Sequence, residues 1–180
     1  MIYFTADHHF GHKNIIKHCN RPFGTVGEMD DTLIMLWNKY VREKDTIYIL
    51  GDLLFRNTAS SEEYLEKLNG KKYLVVGNHD KYWMKKTDLN KYFLDVSPLM
   101  EINTGQHKIT LCHYPMLTWN HVLKGSYMIH GHVHNSKNGI YFSYIKDNPR
   151  ILNAGVEINN FRPVDLDKLI ENNLIFKNSI

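Results

Sequence analysis

Tyr73-Leu-Val-Val-Gly-Asn-His-Asp80 decides the reading of this chain. Four β-forming residues run straight into Gly77, and three polar residues follow at once. That is a strand ending in a turn, where glycine permits a sharp bend and close backbone approach to polar groups. Working outward, the same design recurs. Ile2–Ala6 leads into Asp7-His-His9, Thr46–Leu50 into Gly51-Asp52, Lys108–Cys112 into His113, and Tyr127–His130 into Gly131-His-Val-His134.

Helical segments separate the first three runs. Glu28–Val41 carries Met29, Leu33, Leu36, Trp37 and Tyr40 at helical spacing, with acids in its first turn. Ser60 with Glu63 forms a capping box that opens a helix through about Leu68, and Gly70 supplies a stop. Alternation of strand and helix favours parallel pairing through crossovers. The second half reads as shorter strands at Leu94–Val96, Glu101–Thr104, Lys108–Cys112, Tyr127–His130, Ile140–Ile145 and Ile151–Ala154. Gly105-Gln106 marks a hairpin, and Pro163 with Asp165 introduces a last helix through about Ile170. With no repeat, low-complexity tract or linker, the expectation is one α/β domain over residues 1–180, two sheets with helices outside.

Composition narrows the class. A chain of 180 residues with 43% hydrophobic and 23% charged residues can bury one sizeable core. No apolar run approaches the roughly 20 residues of a membrane helix, and Met1–Asp7 lacks the pattern of a signal peptide. Cys19 and Cys112 stand far apart in no CxxC arrangement, which fits a reducing cytoplasm. The net charge of +3 suits an anionic substrate without implying a nucleic-acid binder. Eleven histidines direct attention to metal and acid–base chemistry.

Ligand sites in α/β sheets gather beyond the carboxyl ends of strands, so residues distant in sequence can meet there. In an extended segment, residues i and i+2 share a side. Asp7 and His9 are therefore expected to grip one ion together with His8 turned away, and His132 and His134 to share a side with Val133 turned towards packing. A mixed nitrogen and oxygen set favours Mn, Fe, Zn, Co or Ni over Mg or Ca.

These five segments resemble the signature of calcineurin-like metallophosphoesterases: D-x-H, GD, GNH followed by D or E, H, and GH-x-H. The matching positions run in order from Asp7 to His134. The resemblance implies a four-layer fold, a two-sheet β-sandwich flanked by helices, holding two divalent transition-metal ions. Asp7, His9 and His134 would hold one ion and Asn78, His113 and His132 the other, with Asp52 bridging them. His79 would be the general acid that protonates the leaving oxygen, and Asp80 would orient its ring.

The chemistry implied is phosphate-ester hydrolysis by a hydroxide held between the ions, since a metal lowers the pKa of water from about 15.7 towards 7. Two divalent ions, two aspartates and one hydroxide leave a formal charge of about +1. A diester monoanion balances that charge, so phosphodiesters are favoured slightly over monoesters, and a nucleotide is among the candidate phosphate-ester substrates. The retromer scaffold subunit uses the same fold for binding, but such a role predicts damaged catalytic positions, whereas His79 and every ligand type are present here. A nuclease is a further alternative. It rests on Lys81-Tyr-Trp-Met-Lys-Lys86, whose competing reading is an amphipathic helix with a solvated lysine face.

Other residues carry weaker signals. Arg56 lies four residues past Asp52, like the phosphate-binding arginine of GD-x-x-D-R in related phosphatases, although Phe55 replaces the motif's aspartate. His12 and Asn14 could face substrate, or His12 could cap a helix starting near Asn14. Arg21 reads as a turn residue before a substrate contact. His8, His18, His107 and His121 read as surface or packing residues, His130 as structural, and Cys112 as a small buried apolar residue. Specificity is left to the loops Phe10–Glu28, Leu53–Ser60 and Tyr114–Lys124.

Overall fold

Thr46-Ile-Tyr-Ile49 shows how the layers are made. Alternate side chains leave a strand on opposite faces, so Ile47 and Ile49 join a core shared with helices while Tyr48 and Leu50 turn to a second core. The computed structural model describes residues 1–55 and 60–179. Its first sheet is parallel throughout, in the order β1 (Ile2–Thr5), β2 (Thr46–Ile49), β3 (Lys71–Val75) and β4 (Phe93–Ser97). The second sheet runs β5 (Leu99–Asn103), β6 (Lys108–Cys112), β7 (Tyr127–His130) and β8 (Ile151–Asn153), antiparallel only between β5 and β6.

Three buried clusters define the stacking. Met29, Leu33 and Trp37, at a spacing of one helical turn, bring α2 (Val26–Tyr40) onto Ile47, Ile49 and Leu74. Between the sheets lie Phe4, Leu50, Val75, Leu111, Ile129 and Leu152. Outside the second sheet, Trp119, Met128, Ile145 and Ile151 pack together. The result is the expected pair of four-stranded sheets flanked by helices.

The remaining helices are α1 (Lys13–His18), α3 (Ser61–Lys67), α4 (Lys81–Met84), α5 (Leu89–Tyr92), α6 (Ile140–Ile145) and α7 (Leu166–Asn178). The Ser60 hydroxyl accepts from Glu63 N at 3.4 Å, the N-cap half of the expected capping box, and Thr25 does the same for Glu28 at 3.1 Å.

Two expectations fail. Ile140–Ile145 is helix α6 rather than a strand, because Tyr141, Phe142 and Ile145 pack on the third cluster at helical spacing. Burial there overrides the β-propensity of the run, leaving Ile140 and Tyr144 exposed. The last helix continues past Ile170 to Asn178. Asn172 and Asn173 are buried but polar, so they interrupt the apolar periodicity. Their amides are spent on Asn159 and on the backbone of Asn153 and Leu169.

Candidate metal centre

The carboxyl ends of the two sheets meet at one rim, where Val156 N donates across to Ala6 O at 3.2 Å. Asp7 N donates to Gly51 O at 3.0 Å within the first sheet's end, and Gly131 N to His113 O at 3.0 Å within the second's. The imidazole of His113 crosses between sheets, its Nδ1–H donating to Leu50 O at 2.8 Å. Gly51, at φ +82°, and Gly77 are forced by this crowding. A Cβ on Gly51 would sit 2.7 Å from the Cα of Gly77.

Asp7, His9 and His134 converge with ligand atoms within 4.8 Å of one another, and so do Asp52, His113 and His132. Asn78 belongs with the second group, its Oδ1 lying 2.9 Å from His113 Nε2 and 3.0 Å from His132 Nδ1. Asp52 stands between the groups, with Oδ2 3.6 Å from His9 Nε2 and 3.5 Å from His113 Nε2. His79 flanks this cluster, its ring 5.2 Å from that of His9.

The i/i+2 pairs arise differently from the extended geometry expected. Asp7, His9, Asp52, His132 and His134 all have φ between 49° and 72°, the left-handed region. Such residues cost energy unless their surroundings hold them, and they concentrate at functional sites. His132 and His134 consequently part company, one to each group.

The donor set fits bound cations. His9 is buried, yet neither of its ring nitrogens has a hydrogen-bond partner among the described residues. Leaving such atoms bare is costly unless something binds them. Burial pushes His9 well below the ordinary histidine range, which keeps its lone pair available. Burial likewise drives Asp7 up to about 6, against the opposing pull of His134 and His113. Asp52 is held down at about 2: burial opposes ionisation, but His113 and His9 outweigh it. His113 answers in kind, since burial lowers it while Asp52 and Asp7 raise it to about 9.

Sequence reading missed the support beneath the first group. Glu157 Oε1 accepts from His134 Nδ1 at 2.9 Å, and from Arg21 Nη2 at 2.7 Å and Nε at 3.1 Å. The Arg21 side chain is 0% exposed, so it is no substrate contact, although its backbone does turn, Phe23 N donating to Arg21 O at 2.9 Å. Its other donors hold the carbonyls of Asp7, at 2.6 Å, and His8, at 2.7 Å. A carboxylate behind a ligating histidine fixes its tautomer and orientation. The signal was present, because Glu157 also follows a strand and a glycine, Gly155.

Asp80 sits otherwise than expected. Its oxygens accept from Gly77 N (2.7 Å), Asp52 N (2.9 Å), Leu53 N (3.0 Å) and Trp83 Nε1 (2.9 Å), none of which belongs to the His79 ring. It braces the loops after β2 and β3. His12 is the residue before α1, but its side chain makes no cap; the ring stacks on Phe55 at 3.7 Å. Asn14 is exposed. Arg56 lies outside the described residues. His8 and His130 are buried packing residues, His18 is exposed, and Cys112 is half-buried. Trp83 is buried, so the Lys81–Lys86 segment offers no indole for base stacking.

The calcineurin-like phosphoesterase family model matches residues 1–150. An uncharacterized protein of Methanocaldococcus jannaschii is 39% identical over 172 residues, covering 94% of this chain and 89% of that one. The gene 66 protein of Mycobacterium phage L5 is 29% identical over 160 residues, or 74% of this chain and 77% of its own. A crystal structure of a protein of unknown function from Aquifex aeolicus superposes with TM-score 0.71 at 30% identity, covering 91% of this chain and 94% of that one. The chain belongs to the calcineurin-like phosphoesterase family. Among the described residues, no helix is long and apolar enough to cross a membrane.

Proposed function

We propose that residues 1–180 form one catalytic domain that hydrolyses phosphate esters, diesters ahead of monoesters, at a dinuclear transition-metal centre. One observation carries the reading. Two groups of ligand atoms converge side by side, with the Asp52 carboxylate 3.6 Å from a histidine of one and 3.5 Å from a histidine of the other. Asp7, His9 and His134 would hold one ion; Asn78, His113 and His132 the other. The ions would neutralise phosphoryl charge and lower the pKa of water towards 7. Mn, Fe, Zn, Ni or Co suits this mixed donor set.

The chain's own residues do the remaining work. His79, half-buried beside His9, donates a proton to the leaving oxygen. The N–H of His79 donates to Asp52 Oδ1 at 2.8 Å, coupling the acid's backbone to the carboxylate that would serve both ions. Buried His9 and Asp7 keep bulk water from the inner side of the reacting phosphate. Arg56 and His12 are the side chains proposed to meet the substrate's phosphate. The unpaired cysteines Cys19 and Cys112 suit a reducing cytoplasm.

Purified protein supplied with Mn should cleave bis-p-nitrophenyl phosphate faster than p-nitrophenyl phosphate, and His79→Ala should lose most of that activity. Failure to cleave any aryl phosphate ester under several metals would overturn the reading.

A further inference from the structure

A cleft of about 470 Å³ opens against His132, walled by Tyr114, Pro115, Val133, Ser136 and Tyr141. It abuts the candidate metal centre through His132 itself. The Tyr114 ring stands on its edge against two candidate ligands, 4.6 Å from the His132 ring and 5.1 Å from that of His113. Although so anchored, Tyr114 remains 48% exposed. Tyr141 is fastened from the other side, its hydroxyl donating to Ser136 O. Two fixed aromatic residues with a proline and a valine make a wall for a flat apolar group.

Charge limits the occupant. None of the six lining residues is acidic, lysine or arginine. An anion is not repelled, but a long polyanionic backbone finds no cationic track of the kind that such ligands need. The volume falls in the range of small-molecule pockets, roughly 300–1,000 Å³, and takes one ring system with its linker. Two other clefts, along β5–β6 and beside α7, hold none of the clustered ligand groups.

We propose that this cleft is an ester-arm subsite that takes a planar aromatic group, an aryl ring or a nucleobase, carried by the phosphodiester. The assignment rests on the phosphoesterase reading above and deepens it. The phosphate lies at the metal centre, the aromatic arm stacks between Tyr114 and Tyr141, and the other ester oxygen departs past His79. Flat π-faces stack on aromatic side chains with little regard to base identity.

The test uses the full chain loaded with Mn and three diesters sharing one leaving group: the p-nitrophenyl esters of methyl phosphate, phenyl phosphate and thymidine 5′-phosphate. The subsite predicts a kcat/KM for the phenyl or thymidine diester about tenfold or more above the methyl diester. Within each protein the ratio cancels any general loss of activity. It should fall towards one in Tyr114→Ala and Tyr141→Ala and persist in Tyr114→Phe, which keeps the ring. The thymidine-to-phenyl ratio separates a nucleobase from a bare aryl arm.

Equilibrium binding of phenylphosphonate and methylphosphonate provides a readout independent of turnover, with phenylphosphonate about tenfold tighter. No hydrolysis with that preference retained would overturn the hydrolase reading and keep the subsite. Equal rates and equal binding, or a preference that survives both alanine variants, would overturn the subsite.

Discussion

The two halves of the candidate centre use similar ligand types but are held very differently. Asp7, His9 and His134 rest on a buried network in which Arg21 grips the Asp7 and His8 carbonyls and Glu157 grips His134. In the other half, His113 is held by the Leu50 carbonyl on one side and meets Asn78 on the other, and Asn78 meets His132 at a partly exposed edge. Burial raises Glu157, but His134 and Arg21 outweigh it and hold the carboxylate at about 2, so it stays ionised behind the first half. The lesson is that ligand identity sets which ion can bind, while the layer behind the ligands sets how firmly. The inner half should keep its ion when the outer half has released one.

Asp52→Asn should produce the largest effect, because that carboxylate serves both halves. Hydrolysis of bis-p-nitrophenyl phosphate is expected to fall about a hundredfold or more, with loss of both tight metal-binding events in calorimetry. Retention of one undisturbed event would break the symmetry claimed for Asp52. Next, Glu157→Gln should weaken the inner event alone by roughly 10–100-fold. The mirror experiment, Asn78→Ala, should weaken the outer event and leave the inner one. If both variants weaken the same event, the division into halves fails.

Gly51→Ala tests the crowding that brings the halves together. With φ at +82° and the Gly77 Cα at 2.7 Å from a new Cβ, the variant should lose about 2–4 kcal/mol of stability. Thermal unfolding would show a drop of roughly 4–16 °C.

Lys177 gives the smallest effect and serves as a control that belongs to neither half. Burial lowers its ammonium to about 8, while its Nζ donates to the carbonyls of Asn148 and Ile151. Between pH 8 and the ordinary value of 10.5 the unfolded chain binds more protons than the folded one. Stability from this group therefore rises with pH across that window. Chemical denaturation should show the rise equally with and without metal, and Lys177→Met should remove it.

Much of this was legible because strands announce themselves locally. Tyr73–Val76 with Gly77 located one rim segment, and four more runs of the same design located the rest. Local pattern failed where tertiary packing chose the outcome. Ile140–Ile145 has strand composition but finds its core at helical spacing, and Asn172 and Asn173 hide a buried helix face behind amides. The backbone device at the ligands was only faintly signalled. Asp and His enter the left-handed region more readily than most residues, but at Asp7 or His134 it is the rim that makes them do so. Glu157 carried a strand-end signal, but its pairing with Arg21 escaped, since 136 positions separate two residues whose meeting only the fold decides.

The most direct test is anomalous diffraction from crystals of the full chain grown with Mn, recorded above and below the manganese edge. Two peaks per chain are predicted, one among Asp7, His9 and His134, the other among Asn78, His113 and His132, with Asp52 between them. A single peak, or peaks bound by other residues, would contradict the dinuclear centre.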